Sequence, residues 1–152
     1  MADLFPALAL GDCLDEAQAT IINMKVGTAV TKGQVVMADT HTAGELCSVK
    51  PGADSTKAMG VALKSGEVGV SIPVLLKGVV KVTGLGTITM GASVKAGYNG
   101  TIATAASNVT IPSGATAVTS TSANPSMTVE GGIAFGIAMQ TFADGDTGLI
   151  LL

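Results

Sequence analysis

Arginine and tryptophan are absent from this chain of 152 residues, which holds one tyrosine and one histidine. Arginine makes the bidentate contacts to guanine and phosphate that nucleic-acid-binding proteins favour, and aromatic rings are the platforms on which unpaired bases stack. A chain without these side chains lacks both means of recognition. The composition therefore predicts that nucleic acid is not a partner.

Charged residues are also scarce. They make up 12% of the chain, against about 25% in ordinary globular domains, whereas the hydrophobic share of 47% is usual. Eight lysines and eleven carboxylates give a net charge of −3. Much of the folded surface must therefore consist of small, weakly polar side chains. Such a surface is best tolerated where other subunits or a partner cover it, so we expect an oligomer.

Long apolar runs are missing as well, although the mean hydropathy is +0.55. No stretch of about 18 strongly apolar residues occurs, and the longest uncharged run, residues 96–129, is rich in Gly, Ser, Thr, Asn and Pro. The first residues lack the basic start and the continuous apolar stretch of a signal peptide. These features predict no membrane partner and synthesis in the cytoplasm.

Side chains suited to a catalytic or metal centre are few. The lone His41 has no G-x-S-x-G elbow to accompany it, so we interpret it as a loop histidine. Cys13 and Cys47 lack CxxC partners, and we expect both to be free. Asp144 and Asp146 lack the closing Glu of a calcium loop, which favours a hairpin turn. The sequence thus predicts no catalytic, metal-binding or cofactor-binding residue, and no enzyme.

Lys32 raises one alternative. It lies on a glycine turn between hydrophobic stretches, which is where lipoyl and biotin carrier domains expose their modified lysine. The acidic or methionine neighbours that accompany the lysine in those carriers are absent. We therefore interpret Lys32 as a turn lysine and keep a swinging-arm carrier as the less favoured alternative.

Short β-branched or apolar runs, bounded by Gly, Lys or Asp, dominate the chain from Lys25 onward. Runs of this length and composition are typical of strands, and 20 glycines punctuate the chain. Asn99-Gly100 and Asp144-Gly145 can supply the positive φ of tight turns. The predicted strands are residues 26–30, 34–38, 68–76, 79–82, 87–89 and 148–152. The predicted fold class is all-β, a compact β-barrel or sandwich.

The first 24 residues precede this region, and we interpret residues 1–24 as an extended N-terminal arm with at most one short helix. The arm carries apolar side chains but little that would fold alone, so it needs a surface to lie on, either its own barrel or a partner. Within it, residues 14–24 are the one helix candidate, because Asp12 could cap a helix there. Ile21 and Ile22 suit an extended segment equally well.

The chain also resembles itself. Residues 60–76 (GVALKSGEVGVSIPVLL) align without gaps to residues 136–152 (GIAMQTFADGDTGLILL) with five identical positions. A shorter echo, residues 27–33 against 86–91, precedes the two segments. Two copies are too few for a solenoid, so we expect a pseudo-symmetric barrel or sandwich over residues 25–152. A Thr/Ser-rich insertion at about residues 100–130 lengthens the second copy, and we expect it to form a surface loop or an extra hairpin.

Several segments follow one another as they do in the small capsid decoration, or head cement, proteins of tailed phages. They are residues 27–36 (GTAVTKGQVV), 57–63 (KAMGVAL), 66–71 (GEVGVS), 77–82 (KGVVKV) and 88–94 (ITMGASV). The chain resembles this family over about residues 26–97, and the terminal G-I-A-M segment completes the match. The resemblance implies a compact β-barrel, often trimeric, that binds the outside of an expanded viral head and bridges neighbouring capsomers. It brings no catalytic residue.

On this resemblance we expect a structural protein that stabilises the head from the outer surface of the virion. The implied partners are the major capsid protein and other copies of the chain, as a homotrimer. The long insertion departs from the simplest members of the family. Our own hypothesis is that the apolar arm contacts the capsid, through Leu4, Phe5, Pro6, Leu8 and Leu10. A β-rich surface or fibre module is the first alternative function.

Overall fold

The computed structural model describes residues 8–53, 57–105 and 134–152. Within these ranges the chain forms ten strands and a 3₁₀ turn at Tyr98–Gly100. The strands are β1 Thr20–Lys25, β2 Val35–Ala38, β3 Val49–Pro51, β4 Gly60–Ala62, β5 Ser71–Lys77, β6 Val79–Thr83, β7 Ser93–Ala96, β8 Ile102–Thr104, β9 Gly136–Ala138 and β10 Thr147–Leu151. The all-β class predicted from turns and strand runs is confirmed. Across the described residues, no helix has the length and apolar character needed to span a membrane.

The strands form two five-stranded sheets with the same internal order. The first sheet is β1-β5-β4-β2-β3 and the second is β6-β10-β9-β7-β8, with all neighbouring strands antiparallel. Adding five to each strand number of the first sheet gives the second sheet. The chain is therefore built from two copies of one unit, which we call the first and second repeats. Gly78 alone separates β5 from β6, so one sheet leads directly into the other.

The aligned segments of the sequence occupy equivalent places in the two sheets. Val61 pairs with Leu75 in the first sheet, and Ile137 pairs with Leu151 in the second. The equivalence extends to turns, because the N–H of Gly33 donates to the Ala62 carbonyl at 2.8 Å and the N–H of Gly91 to the Ala138 carbonyl at 2.7 Å. The self-similarity of the sequence is thus a true structural repeat.

Two of the predicted strands are wrong. Residues 26–30 and 87–89 join no ladder, and they hold isolated bridges such as the one between Val30 and Gly66. The first segment bends at Gly27, where an added side chain would lie 2.6 Å from the Ser48 hydroxyl oxygen. The chain therefore leaves the extended conformation at residues 27–28 instead of continuing as a strand.

The helix candidate at residues 14–24 is also wrong, and the extended alternative is the one adopted. The chain turns at residues 16–18 and β1 begins at Thr20. Ile22 lies opposite Val74 of β5, so pairing with a neighbouring strand overrides the local capping signal. The first strand thus begins inside the segment assigned to the arm.

The predicted insertion lies mostly outside the described residues, which stop at 105 and resume at 134.

Each repeat has an apolar cluster on the equivalent face of its sheet. The buried residues of these two clusters occupy matching positions, and every one named here is at most 1% exposed. In the first repeat they include Val36, Ala62 and Val74, and in the second repeat Val94, Ala138 and Ile150.

Strands β2, β4 and β5 of the first sheet carry buried side chains on both faces. Because successive residues of a strand point to opposite sides, Val35, Val61 and Leu75 lie on the face away from the first-repeat cluster. All three are fully buried, and they belong to the same cluster as the core of the second repeat. The first sheet therefore packs between its own core and that of the second repeat.

In each repeat one large side chain fills the same part of the core, but it comes from a different position in the two repeats. In the second repeat the ring of Phe142 fills the space, facing Gly84 and Gly148, and a side chain added at Gly148 would overlap that ring. In the first repeat the position of Phe142 is taken by Gly66, and a side chain added there would lie 2.5 Å from Cγ2 of Ile72. A large residue in each repeat is thus matched by a glycine opposite it.

This match predicts strong coupling between positions 142 and 148. Gly148→Val is expected to lower the free energy of unfolding by about 1–3 kcal/mol through overpacking, and Phe142→Ala by about 3–5 kcal/mol through a cavity. The double variant should lose less than the sum, because the new valine fills space that the ring vacates. Urea unfolding of the four proteins measures the coupling, with Thr147→Val on the exposed side of β10 as a control. A loss in the double variant equal to the sum of the two single losses would show that positions 142 and 148 do not share the space.

Candidate functional site

The N-terminal segment of residues 8–14 lies along the free edge of β6. The N–H of Gly11 donates to the Lys81 carbonyl at 2.8 Å, and the N–H of Leu14 donates to the Val79 carbonyl at 2.9 Å. Between them Cys13 forms a bridge with Val80. The segment thus pairs with β6 through backbone hydrogen bonds and an isolated bridge, and it covers an edge that would otherwise present unpaired backbone groups.

Two of the five candidate capsid contacts fall within the described residues. Leu8 is half-buried, and its carbonyl accepts a hydrogen bond from Nζ of Lys81 at 2.8 Å. Leu10 is 37% exposed and packs on Gly33, where an added side chain would lie 2.5 Å from Cγ of Leu10. Both residues therefore contact their own domain. The other three candidates, Leu4, Phe5 and Pro6, lie outside the described residues.

Lys32 is an ion-pair residue in this structure. Its Nζ lies 2.6 Å from Oδ1 of Asp12, and so it ties the N-terminal segment to the turn before β2. The hydrogen bond from Lys32, followed by the one from the backbone N–H of Ala9, lowers the pKa of Asp12 below its ordinary value. The pair is well exposed, so its role is to position the segment more than to stabilise the domain.

The residues considered for chemistry do not come together. His41 is exposed in the loop between β2 and β3, and Cys13 and Cys47 are both free. Asp144 accepts a hydrogen bond from the N–H of Gly86 at 2.6 Å, which joins two turns of the second repeat. In the described ranges, no three His, Cys, Asp or Glu side chains are grouped as a metal site would require. The turn interpretation of Asp144-Gly145 is confirmed by a φ of +77° at Gly145.

The outer face of the second sheet carries apolar side chains that remain exposed. Ser93, Ile137 and Leu151 form one row across β7, β9 and β10, and Met139 follows two residues after Ile137. Ile137 is 49% exposed, Met139 44% and Leu151 43%. We call these four residues the second-sheet outer face. Sequence reasoning missed it, because the pattern of β9 and β10 does not say which side is covered.

The Asp12–Lys32 pair predicts a pH dependence. Because the folded-state pKa of Asp12 is lowered, its contribution to stability is present above the ordinary carboxyl pKa of about 4 and is lost as the pH falls through the lowered value. Replacing Lys32 by Met should return the pKa of Asp12 towards its ordinary value and remove this loss. Carbon-detected NMR titration of the Asp12 carboxyl measures the change, with Lys64→Met as a control. An unchanged pKa in the Lys32→Met protein would show that the pair is not formed.

Comparison with known proteins gives a match among solved structures. No protein-family model matches the chain, and no curated protein does. Among solved structures, the chain is similar to the N base of the head fibre gp8.5 of bacteriophage phi29, with a TM-score of 0.57 at 14% sequence identity. The match covers 89% of this chain and 94% of that one. At this identity the likeness establishes a shared fold, which extends over nearly the whole of the fibre base.

Proposed function

We propose that this chain is a structural component of a phage head, and that it binds the outside of the assembled shell and stabilises it by bridging capsomers. Its partner would be the major capsid protein, and its location the outer surface of the virion. The observation that carries the proposal is the shared fold with a head-fibre base over 94% of that base. The order of short motifs that resembles head cement proteins points the same way.

The surface of the chain suits this role. Charged residues are few, and large apolar side chains such as Leu46, Val68 and Met90 are open to solvent. Weak apolar contacts of this kind give tight binding when several copies engage a lattice at once, since each bound contact raises the effective concentration of the next. A homotrimer, as the resemblance to head cement proteins implies, would multiply the contacts in this way. No catalytic step is part of the proposal.

A second candidate function is the base module of a head fibre, as in the matched structure. Both functions require binding to the head, and they differ in what the bound protein does. A cement protein should raise the temperature at which heads disrupt, because it bridges capsomers. A fibre base should bind and leave that temperature unchanged.

The test is to mix purified protein with expanded empty heads and sediment them. We expect co-migration at a fixed ratio to the shell protein, and a higher disruption temperature of the decorated heads by light scattering. Failure to co-migrate with the shells of the phage that encodes the chain would overturn head binding. Binding without a change in disruption temperature would favour the fibre base.

The arm hypothesis can be tested in the same assay. Deleting residues 1–7 leaves the contacts of Leu8, Leu10 and Gly11 with the domain in place, so the thermal unfolding should not change. We expect head binding to fall by at least tenfold. The double substitution of Leu4 and Phe5 by Ser should act like the deletion, whereas the same change at Ala2 and Asp3 should be neutral. Undiminished binding after the deletion would mean that Leu4, Phe5 and Pro6 make no capsid contact.

A further inference from the structure

Equivalent faces of the two sheets differ sharply in exposure. On the first sheet, Val61 and Leu75 are fully buried. At the equivalent positions of the second sheet, Ile137 is 49% and Leu151 43% exposed. The residue types are alike, so the difference comes from what covers each face. The second-sheet outer face keeps the apolar character of an interface that has no partner within the described residues.

The chain itself shows what covers such a face. Val61 and Leu75 of the first sheet pack into the cluster that holds Val80 and Ile150 of the second repeat. The first sheet contributes its outer face to this contact, and the second sheet contributes its inner, core side. The two repeats thus meet through different surfaces, in the head-to-tail manner of a heterologous interface.

Only the edge of the other half of this contact is exposed on the first repeat, because the first-repeat cluster itself is buried. Val80, on the second repeat, is fully buried beneath the first sheet and beside Cys13. Its equivalent on the first repeat is Ile22, which is 40% exposed. Over the described ranges, the outer edge of β1 has no strand beside it, whereas the edge of β6 is covered by residues 11–14. Met59 and Leu76, at the rim of the first-repeat cluster, are only half-buried.

We propose that the second-sheet outer face docks on the first repeat of a second copy of this chain, at the surface around Ile22. The contact repeats between two molecules the arrangement that joins the two repeats within one molecule. It would cover Ile137, Met139 and Leu151 of one copy and Ile22 of the next. The occupant is a second copy because Ile22, the equivalent of a residue that the internal interface buries, is exposed at an uncovered sheet edge of the first repeat.

In a contact of this kind, each copy uses its second-sheet outer face towards one neighbour and the surface around Ile22 towards the other. Heterologous contacts produce closed rings when the rotation closes and open filaments when it does not. A ring of three copies would account for the homotrimer that the resemblance to head cement proteins implies. The proposal does not depend on head binding, since self-association is measured on the purified protein alone.

The experiment compares Ile137→Asp, which disables the second-sheet outer face, with Ile22→Asp, which disables its counterpart. Leu85→Asp is the matched control, because Leu85 is 44% exposed and belongs to neither surface. Masses are measured by light scattering after size exclusion. We expect the wild type and the control to form the same oligomer, a multiple of the 14.9 kDa chain, and each of the two variants to be a monomer. Circular dichroism and thermal unfolding confirm that every variant is folded.

Mixing the two variants gives the sharpest outcome. Each retains one intact surface, so one copy of each should join through a single contact into a heterodimer, while neither variant dimerises alone. A contact between two identical faces would instead leave Ile22→Asp fully oligomeric and give no heterodimer on mixing. A wild type that stays monomeric at 100 times the concentration used for head binding, or an Ile137→Asp protein that keeps its oligomer, would overturn the proposal.

Discussion

The packing of the first sheet between two apolar clusters is the constraint on which the rest of this structure depends. Strands β2, β4 and β5 carry adjacent buried residues, such as Val35 with Val36 and Val74 with Leu75. Neighbours in a strand face opposite ways, so a strand of this kind must be covered on both sides. The first repeat covers one side and the second repeat covers the other.

The magnitude of this burial explains why the repeats form one domain. Burying an aliphatic side chain contributes about 1.5–3 kcal/mol, and Val35, Val61 and Leu75 are all fully buried at the junction. Three such side chains rival a typical net stability of about 5–15 kcal/mol. A first repeat separated from the second would expose them to water. The N-terminal segment adds to the junction, because it pairs with β6 through Gly11 and ties to the first repeat through the Asp12–Lys32 ion pair.

The repeats diverge where their surroundings differ. Inside each repeat the same volume is filled from opposite sides. Phe142 fills it in the second repeat, and Ile72 fills it in the first. At the surfaces, the difference lies in exposure more than in chemistry, since Ile137 and Leu151 remain aliphatic at positions that water reaches. Aliphatic residues kept on an exposed sheet face are the physical feature from which contact with another copy is inferred.

The sequence by itself determined the fold class, the repeat and the positions of the tight turns. These follow from local chemistry, because Gly33 and Asn99-Gly100 supply positive φ and short β-branched runs favour strands. Its predicted strand ranges omitted β1, whose residues suit a helix equally, and the short strands β3, β4, β7, β8 and β9, which are three or four residues each. Of the candidate contacts it named Leu8 and Leu10 without showing that both lie on their own domain.

Only the tertiary structure decided which face of each sheet is covered. Residues of the same type stand at equivalent places, with Val61 fully buried and Ile137 half exposed. Alternation along a strand assigns residues to two sides, but whether a side meets water depends on strands distant in the chain. The second-sheet outer face therefore has no signature in the sequence, since its exposure results from how the first sheet docks on the second repeat.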